Sequence, residues 1–154
     1  MLKRIHIKGY KSLHDLELNL GPLCVIFGPN AAGKSNFLDA LQLLSRLVRS
    51  RTLSEAFSPP YRGTPLESFT FPAGGMKGLL SKETKRFSFE VDVQLSQQTI
   101  NRVNRLVKEM KRTKSVKEED GVYLHSAKSE HVREQYLRYR IEVEIAPQSG
   151  IMRV

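Results

Sequence analysis

Apolar and polar residues alternate along Leu2–Lys8 and again along Leu16–Leu20, the pattern of strands with one buried face. Gly9-Tyr10-Lys11-Ser12 separates them as a turn. Gly21-Pro22 ends the alternation, and Leu23-Cys24-Val25-Ile26-Phe27 follows as an unbroken apolar run. A run of that length predicts a strand buried on both faces. The glycine-rich stretch Gly28–Gly33 comes directly after it. Phe37, Leu41, Leu44 and Val48 then recur at i, i+4, i+7 and i+11, one stripe of an α-helix.

Periodicity disappears from about Arg51 to Arg86. Pro59, Pro60, Pro65, Pro72 and Gly63, Gly74, Gly75, Gly78 crowd this stretch, which reads as a long, flexible connection. Gly74-Gly75-Met76-Lys77-Gly78 has no buried strand before it and no Ser or Thr after its lysine, so it reads as a flexible turn rather than a second phosphate loop. Phe87, Phe89, Val91, Val93 and Leu95 alternate with polar residues, as do Tyr139, Ile141, Val143 and Ile145, predicting two amphipathic strands. Between them Ile100, Val103, Val107 and Met110 form a helical stripe. Ile151–Val154 is strand-like. No internal repeat is present.

Composition narrows the class. The 154 residues are 40% apolar and 27% charged, and the longest apolar run is far short of the ~20 residues that span a bilayer. The N-terminus lacks the apolar core of a secretory signal. One cysteine, Cys24, excludes a disulfide framework, and inside its apolar run it reads as a small core hydrophobe in a reducing, cytoplasmic compartment. Lys and Arg number 25 against 16 Asp and Glu, a net charge of +9 that suits polyanionic partners or nucleotide phosphates. Many small domains are this basic without such a partner, so charge alone does not choose.

The chemistry lies in Gly28-Pro29-Asn30-Ala31-Ala32-Gly33-Lys34-Ser35, which satisfies G-x-x-x-x-G-K-[ST]. In that motif glycines let backbone N–H groups turn inward around phosphate oxygens. The lysine supplies a charge to the β- and γ-phosphates, the serine hydroxyl ligates Mg²⁺, and the following helix points its positive end at the same phosphates. Residues 1–50 therefore read as a nucleotide-binding core, 51–86 as the connection, and 87–154 as strands with an inserted basic helix. Hydrolysis also needs an acidic residue at the end of a second buried strand. Asp15, Asp39, Asp92 and Asp120 do not end apolar runs. No L-S-G-G-Q-like segment is present either, so only the first half of an ATPase site is encoded.

Three sets of residues carry a resemblance: Ile7-Lys8-Gly9-Tyr10-Lys11-Ser12-Leu13; Leu16, Leu18 and Leu20; and Phe27-Gly28-Pro29-Asn30, Gly33-Lys34-Ser35-Asn36-Phe37-Leu38 with Ala40-Leu41. Over these the chain resembles the N-terminal lobe of ABC-type ATPases of the SMC/RecF/OLD group, also grouped as AAA-15 or AAA-21 domains. Asn30 and Asn36 discriminate, because that group favours G-x-N-x-x-G-K-S-N. The resemblance runs over residues 2–48, and the later strands look more loosely like the group's antiparallel β-subdomain. It implies an α/β P-loop NTPase fold of ABC type, with a mixed sheet and an antiparallel β-subdomain, present as an incomplete N-terminal portion. It implies ATP and Mg²⁺, and two heads dimerising around nucleotide. The implied roles are DNA repair, chromosome maintenance, or defence against phage or plasmids. The signature motif, the Mg²⁺-binding Asp with its catalytic Glu, and the switch His are missing. Hydrolysis is thus expected to need a missing C-terminal half, a partner chain or a homodimeric head.

The same resemblance places Asn30 at the γ-phosphate or the attacking water, and Lys11 and Ser12 near adenine or phosphates. Asn36 and Pro29, Ala31 and Ala32 complete the loop set. Tyr10 packs beside them or serves as a core aromatic. Gln97, Gln98 and Gln148 are alternatives for a Q-loop glutamine. Arg102, Arg105, Lys108, Lys111, Arg112, Lys114 and Lys117 form a basic helical segment. It either tracks a DNA backbone, with Arg102, Arg105, Lys108 and Arg112 as candidates, or is a solvated surface. His6, His14, His125 and His131 lack metal-ligand spacing. A binding module without turnover is the alternative function. A small-molecule kinase is disfavoured because no arginine-bearing lid is evident near the loop.

Overall fold

A computed structural model describes residues 1–115 and 134–154, and the side chains of 111–115 fall outside the described set. Asp120, His125, His131 and the candidate Arg112 side chain therefore lie outside the described residues, as do the side chains of Lys111, Lys114 and Lys117. The chain divides into two compact units. One comprises residues 2–92 and 138–154, and the other Met1 and residues 93–137.

The first unit is built on β1 (Leu2–Tyr10), β2 (Leu13–Asn19), β3 (Lys85–Gln94), β4 (Tyr136–Ala146) and β5 (Ile151–Arg153), in the order β2-β1-β3-β4-β5. The β1–β2 hairpin is antiparallel, with Ile5 opposite Leu18 and Ile7 opposite Leu16, and β4 pairs antiparallel with β5. Alternation sends Ile5 and Ile7 of β1, Phe87, Phe89 and Val91 of β3, and Ile141, Val143 and Ile145 of β4 into the core. Gly9, at φ 69, breaks the phase of β1, and Tyr10 is fully buried. A Cβ at Gly9 would come within 2.6 Å of the Arg86 carbonyl oxygen, so only glycine fits. Tyr10, Phe69, Phe87 and Phe89 form an aromatic cluster with ring centroids 5.0–5.5 Å apart. Tyr10 is thus the core aromatic of the two readings.

The outward positions of the strands are charged and paired. Arg4 reaches Glu17 and Glu90, Arg138 clasps both oxygens of Asp92, and Arg86 contacts Glu144. His6 lies 2.6 Å from Asp15, so it is a strand histidine in an ion-pair ladder. No metal-ligand cluster occurs among the described residues.

Four departures from the pattern have physical causes. Leu23–Phe27 forms no ladder: Leu23, Val25 and Phe27 are 84%, 76% and 89% exposed, and Cys24 is exposed rather than core. A two-sided apolar strand needs neighbours on both edges, and the five-stranded sheet does not include it. In α1 (Lys34–Arg49) the buried residues are Phe37, Asp39, Ala40, Leu43 and Leu44, whereas Val48 is 61% exposed near the helix end. The Pro/Gly-rich stretch carries α2 (Leu53–Ala56), a 3₁₀ turn (Leu66–Ser68) and α3 (Gly75–Leu80). Gly74 starts α3 in the left-handed region, which turns the expected loop into a helix entry.

The second unit centres on α4 (Gln97–Ser115). Ser96 caps it, its hydroxyl accepting the Thr99 N–H at 3.1 Å. Ile100 is buried, whereas Val103 and Met110 of the expected stripe are exposed, as are Arg102, Arg105 and Lys108. Among the described residues no helix is long and apolar enough to cross a membrane.

Candidate functional site

The loop between residue 27 and α1 takes conformations that need its small residues. Gly28 and Gly33 lie at φ 145 and 90, and Ala31 at φ 63. Gly33 is the N-cap of α1 and offers no side-chain cap, and the helix has no acidic residue in its first turn. The N-terminal amides and the helix dipole are thus left without a protein anion. Phe37 N–H closes the first turn onto the Gly33 carbonyl at 2.9 Å.

These residues line a cleft of about 310 Å³, formed by Asn30 through Asn36 with Arg62. Lys34 lies at its base with Nζ donating to the carbonyls of Gly28 and Pro29 at 2.8 and 2.7 Å. The lining includes no carboxylate. Gly28 and Pro29 enter the site through these carbonyls.

The β1–β2 turn is seated against the loop. Asn36 Nδ2 donates to Ser12 Oγ at 2.8 Å. A Cβ on Gly33 would stand 3.2 Å from that hydroxyl. Lys11 adopts φ 47, sparsely populated for a residue with a side chain. Its Nζ bonds Asp39 Oδ2 at 2.6 Å and the Arg62 carbonyl at 3.0 Å, close to the rings of Tyr10 and Tyr61. The structure thus brings Ser12 to the loop, while Lys11 engages Asp39 and the Arg62 carbonyl and lies outside the cleft lining. Gln148 lies in the turn after β4 and does not line the cleft.

Arg62 and Asp39 were missed by sequence reasoning. The sequence showed no arginine-bearing lid near the loop; the structure brings Arg62, from the connection, into the cleft lining, because the connection folds back onto α1. Arg46 of α1 draws it in, donating to the carbonyls of Ala56, Glu55 and Ser58 at 2.6–2.9 Å. Lys11 N–H bonds the Ser68 carbonyl and Thr70 N–H the Gly9 carbonyl, both at 2.9 Å. Tyr61 hydrogen-bonds both Tyr10 and Ser68 through buried hydroxyls. Arg62, held between these anchors, places Nε and Nη2 on Asp39 Oδ2 at 2.9 and 2.6 Å and reaches Asn36 Oδ1 at 3.1 Å. Burial pushes the Asp39 carboxyl up, and the Lys11 and Arg62 hydrogen bonds outweigh it, holding the group below the usual carboxylate range. A legible signal existed: Asp39 sits four residues before buried Leu43, on the inward side of α1.

Beside the cleft, and sharing Arg62 with it, lies a groove of about 570 Å³ bordered by Lys11, Ser12, His14, Phe69 and Phe71. Thr70 Oγ1, also in its wall, is buried without a hydrogen-bond partner among the described residues.

A glycine loop thus opens an uncapped helix, with a lysine and a serine at its end. The chain belongs to the AAA ATPase domain family, whose model matches residues 1–144. It is 50% identical over 44 residues to an OLD nuclease of Thermus scotoductus, a match covering 29% of this chain and 8% of that protein. It is 35% identical over 101 residues to the DNA replication and repair protein RecF of Bacteroides fragilis, covering 56% of this chain and 26% of the relative. It is 37% identical over 79 residues to the chromosome partition protein Smc of Desulfitobacterium hafniense, covering 49% and 6%. Over these stretches the chain is similar to proteins of the SMC/RecF/OLD group. The chain spans about a quarter or less of the length of these relatives.

Proposed function

We propose that this chain is the ATP-binding lobe of an SMC/RecF/OLD-like ATPase of ABC type, and that it binds ATP with Mg²⁺ in the cleft at the start of α1. The observation that carries this reading is the cleft itself: inward-turned small residues, an uncapped helix N-terminus, Lys34, and no carboxylate in the lining. In this reading Asn30–Lys34 amides and the Lys34 ammonium hold phosphate oxygens. The Ser35 hydroxyl is the Mg²⁺ ligand, and the metal neutralises phosphate charge when bound. Asn30 stands near the terminal phosphate. The neighbouring groove takes the nucleoside, with Lys11 and Ser12 at the junction and the orphaned Thr70 hydroxyl as a partner for a ribose or base group.

Turnover requires a carboxylate that the cleft lining does not supply. We assign that group to a complementary half or partner head, which would also cover exposed Leu23–Phe27. In this reading the protein is cytoplasmic and serves DNA repair, chromosome maintenance or defence. DNA is a proposed partner of the exposed Arg102, Arg105 and Lys108 on α4. Calorimetric titration with ATP, with and without Mg²⁺, tests the central reading. Wild type should bind more tightly with Mg²⁺, and Ser35→Ala should lose that enhancement. An affinity indifferent to Mg²⁺ in both proteins would reject the site.

A further inference from the structure

Asp39 stands behind the cleft rather than in its lining, and its environment is unusual for a helix aspartate. It is 9% exposed, and one oxygen, Oδ2, accepts from Lys11 Nζ, Arg62 Nε and Arg62 Nη2 at 2.6, 2.9 and 2.6 Å. The guanidinium held this way extends to Asn36 and borders the cleft. Lys11 completes the arrangement from a left-handed backbone conformation, gripping the carboxylate and the backbone carbonyl of Arg62 together. Three separate pieces of chain, the β1–β2 turn, α1 and the 51–86 connection, thus converge on one carboxylate.

We propose that Asp39 is a positioning residue that presets Arg62 at the mouth of the cleft for the anionic groups of the nucleotide. A long side chain from a connection with little regular structure would otherwise lose rotamer freedom on binding. Two of its three nitrogens are held by Asp39, so that loss is met on folding. A planar guanidinium suits this task, because one edge can rest on a carboxylate while the other donates to phosphate. An ion pair that merely fastened the connection to α1 would predict a different response to mutation.

The inference rests on nucleotide binding at the phosphate loop, so Lys34→Ala enters the experiment as a control. Affinity for a fluorescent ATP analogue with Mg²⁺ is measured for wild type, Asp39→Asn, Arg62→Ala and the double variant. Each single change should weaken binding roughly tenfold, and the double should be no weaker than Arg62→Ala alone. Losses that multiply in the double variant, or an Asp39→Asn protein that binds as well as or better than wild type, would overturn the proposal. Should Asp39→Asn fail to fold, Arg62→Lys serves in its place. It keeps the exposed charge but cannot rest two nitrogens on Asp39, so it should bind as weakly as Arg62→Ala; wild-type affinity would overturn the proposal. Unchanged binding in Lys34→Ala would instead reject the phosphate-loop reading.

Discussion

Lys34→Ala gives the phosphate-loop reading its most quantitative test. The ammonium makes two hydrogen bonds, to the Gly28 and Pro29 carbonyls. Nucleotide binding therefore exchanges bonds to neutral acceptors for bonds to anionic oxygens. The ammonium–carbonyl bonds are already charge-assisted, so the added gain is the attraction between opposite unit charges. At a separation of about 4 Å that attraction is about 1 kcal/mol in water and about 4 kcal/mol near a protein surface, and we take about 2–3 kcal/mol for this exposed cleft. That corresponds to a roughly 30–150-fold loss of affinity in Lys34→Ala. Stability should be little changed, since the ammonium only bridges loop carbonyls at an exposed position. Titration of a fluorescent ATP analogue and a thermal melt on the same samples separate the two effects. Affinity within twofold of wild type, with the fold intact, would refute the assignment of Lys34 to phosphate.

Gly9→Ala should lower the melting temperature by several degrees, because it forces a Cβ to 2.6 Å from the Arg86 carbonyl and puts alanine at φ 69, a conformation costing roughly 1–2 kcal/mol by itself. An unchanged melt would show that β1 and β3 can part freely. Asp39 is held below its unfolded pKa, so its contribution to stability is present above about pH 4 and disappears as pH falls through the lower, folded value. Acid unfolding followed by circular dichroism should therefore show a shallower stability loss below pH 4 in Asp39→Asn than in wild type, and an identical slope would contradict the pairing. Arg46→Ala removes the donor to the Ala56, Glu55 and Ser58 carbonyls, so limited proteolysis should cut more readily between residues 51 and 62. Unaltered cleavage would mean the connection is held by other contacts.

The strands and helices of the described residues were legible where their periods were clean. Ile5 and Ile7, Phe87, Phe89 and Val91, and Ile141, Val143 and Ile145 announce their burial by a period of two. Phe37 and Leu44 announce theirs by the helical period. The Gly28–Ser35 motif stands out in the sequence because the chemistry proposed for it fixes both residue type and spacing. Arg62 was not, because nothing local in a Pro/Gly-rich connection says where its side chain ends; Arg46, Tyr61 and the Thr70–Gly9 hydrogen bond decide that through long-range contacts. For Asp39 the sequence offered only its spacing from Leu43, since the cations that justify its burial come from residues 28 positions before it and 23 after. Leu23–Phe27 was expected as a strand buried on both faces, and it is instead exposed and outside the sheet. Its exposure follows from a need for neighbours that an apolar run can declare but cannot supply.

That contrast separates what this chain completes from what it leaves open. The β2 edge carries Asp15 and Glu17, engaged by His6, Lys8 and Arg4, and the β5 edge is three residues long, both common ways of discouraging further pairing. Leu23–Phe27 has no such protection: it presents five consecutive apolar residues with no charge and leads straight into the phosphate loop. A charge or proline commonly interrupts or flanks an exposed apolar run, and none stands within this one. A strand pairing there would arrive beside Gly28, where the cleft lacks a carboxylate. The bare apolar run and the missing acid are therefore accounted for by one proposed element, a strand from a complementary half that ends in Asp or Glu. This economy favours the split-site reading over a nucleotide-binding module without turnover, in which the exposed run would serve no purpose.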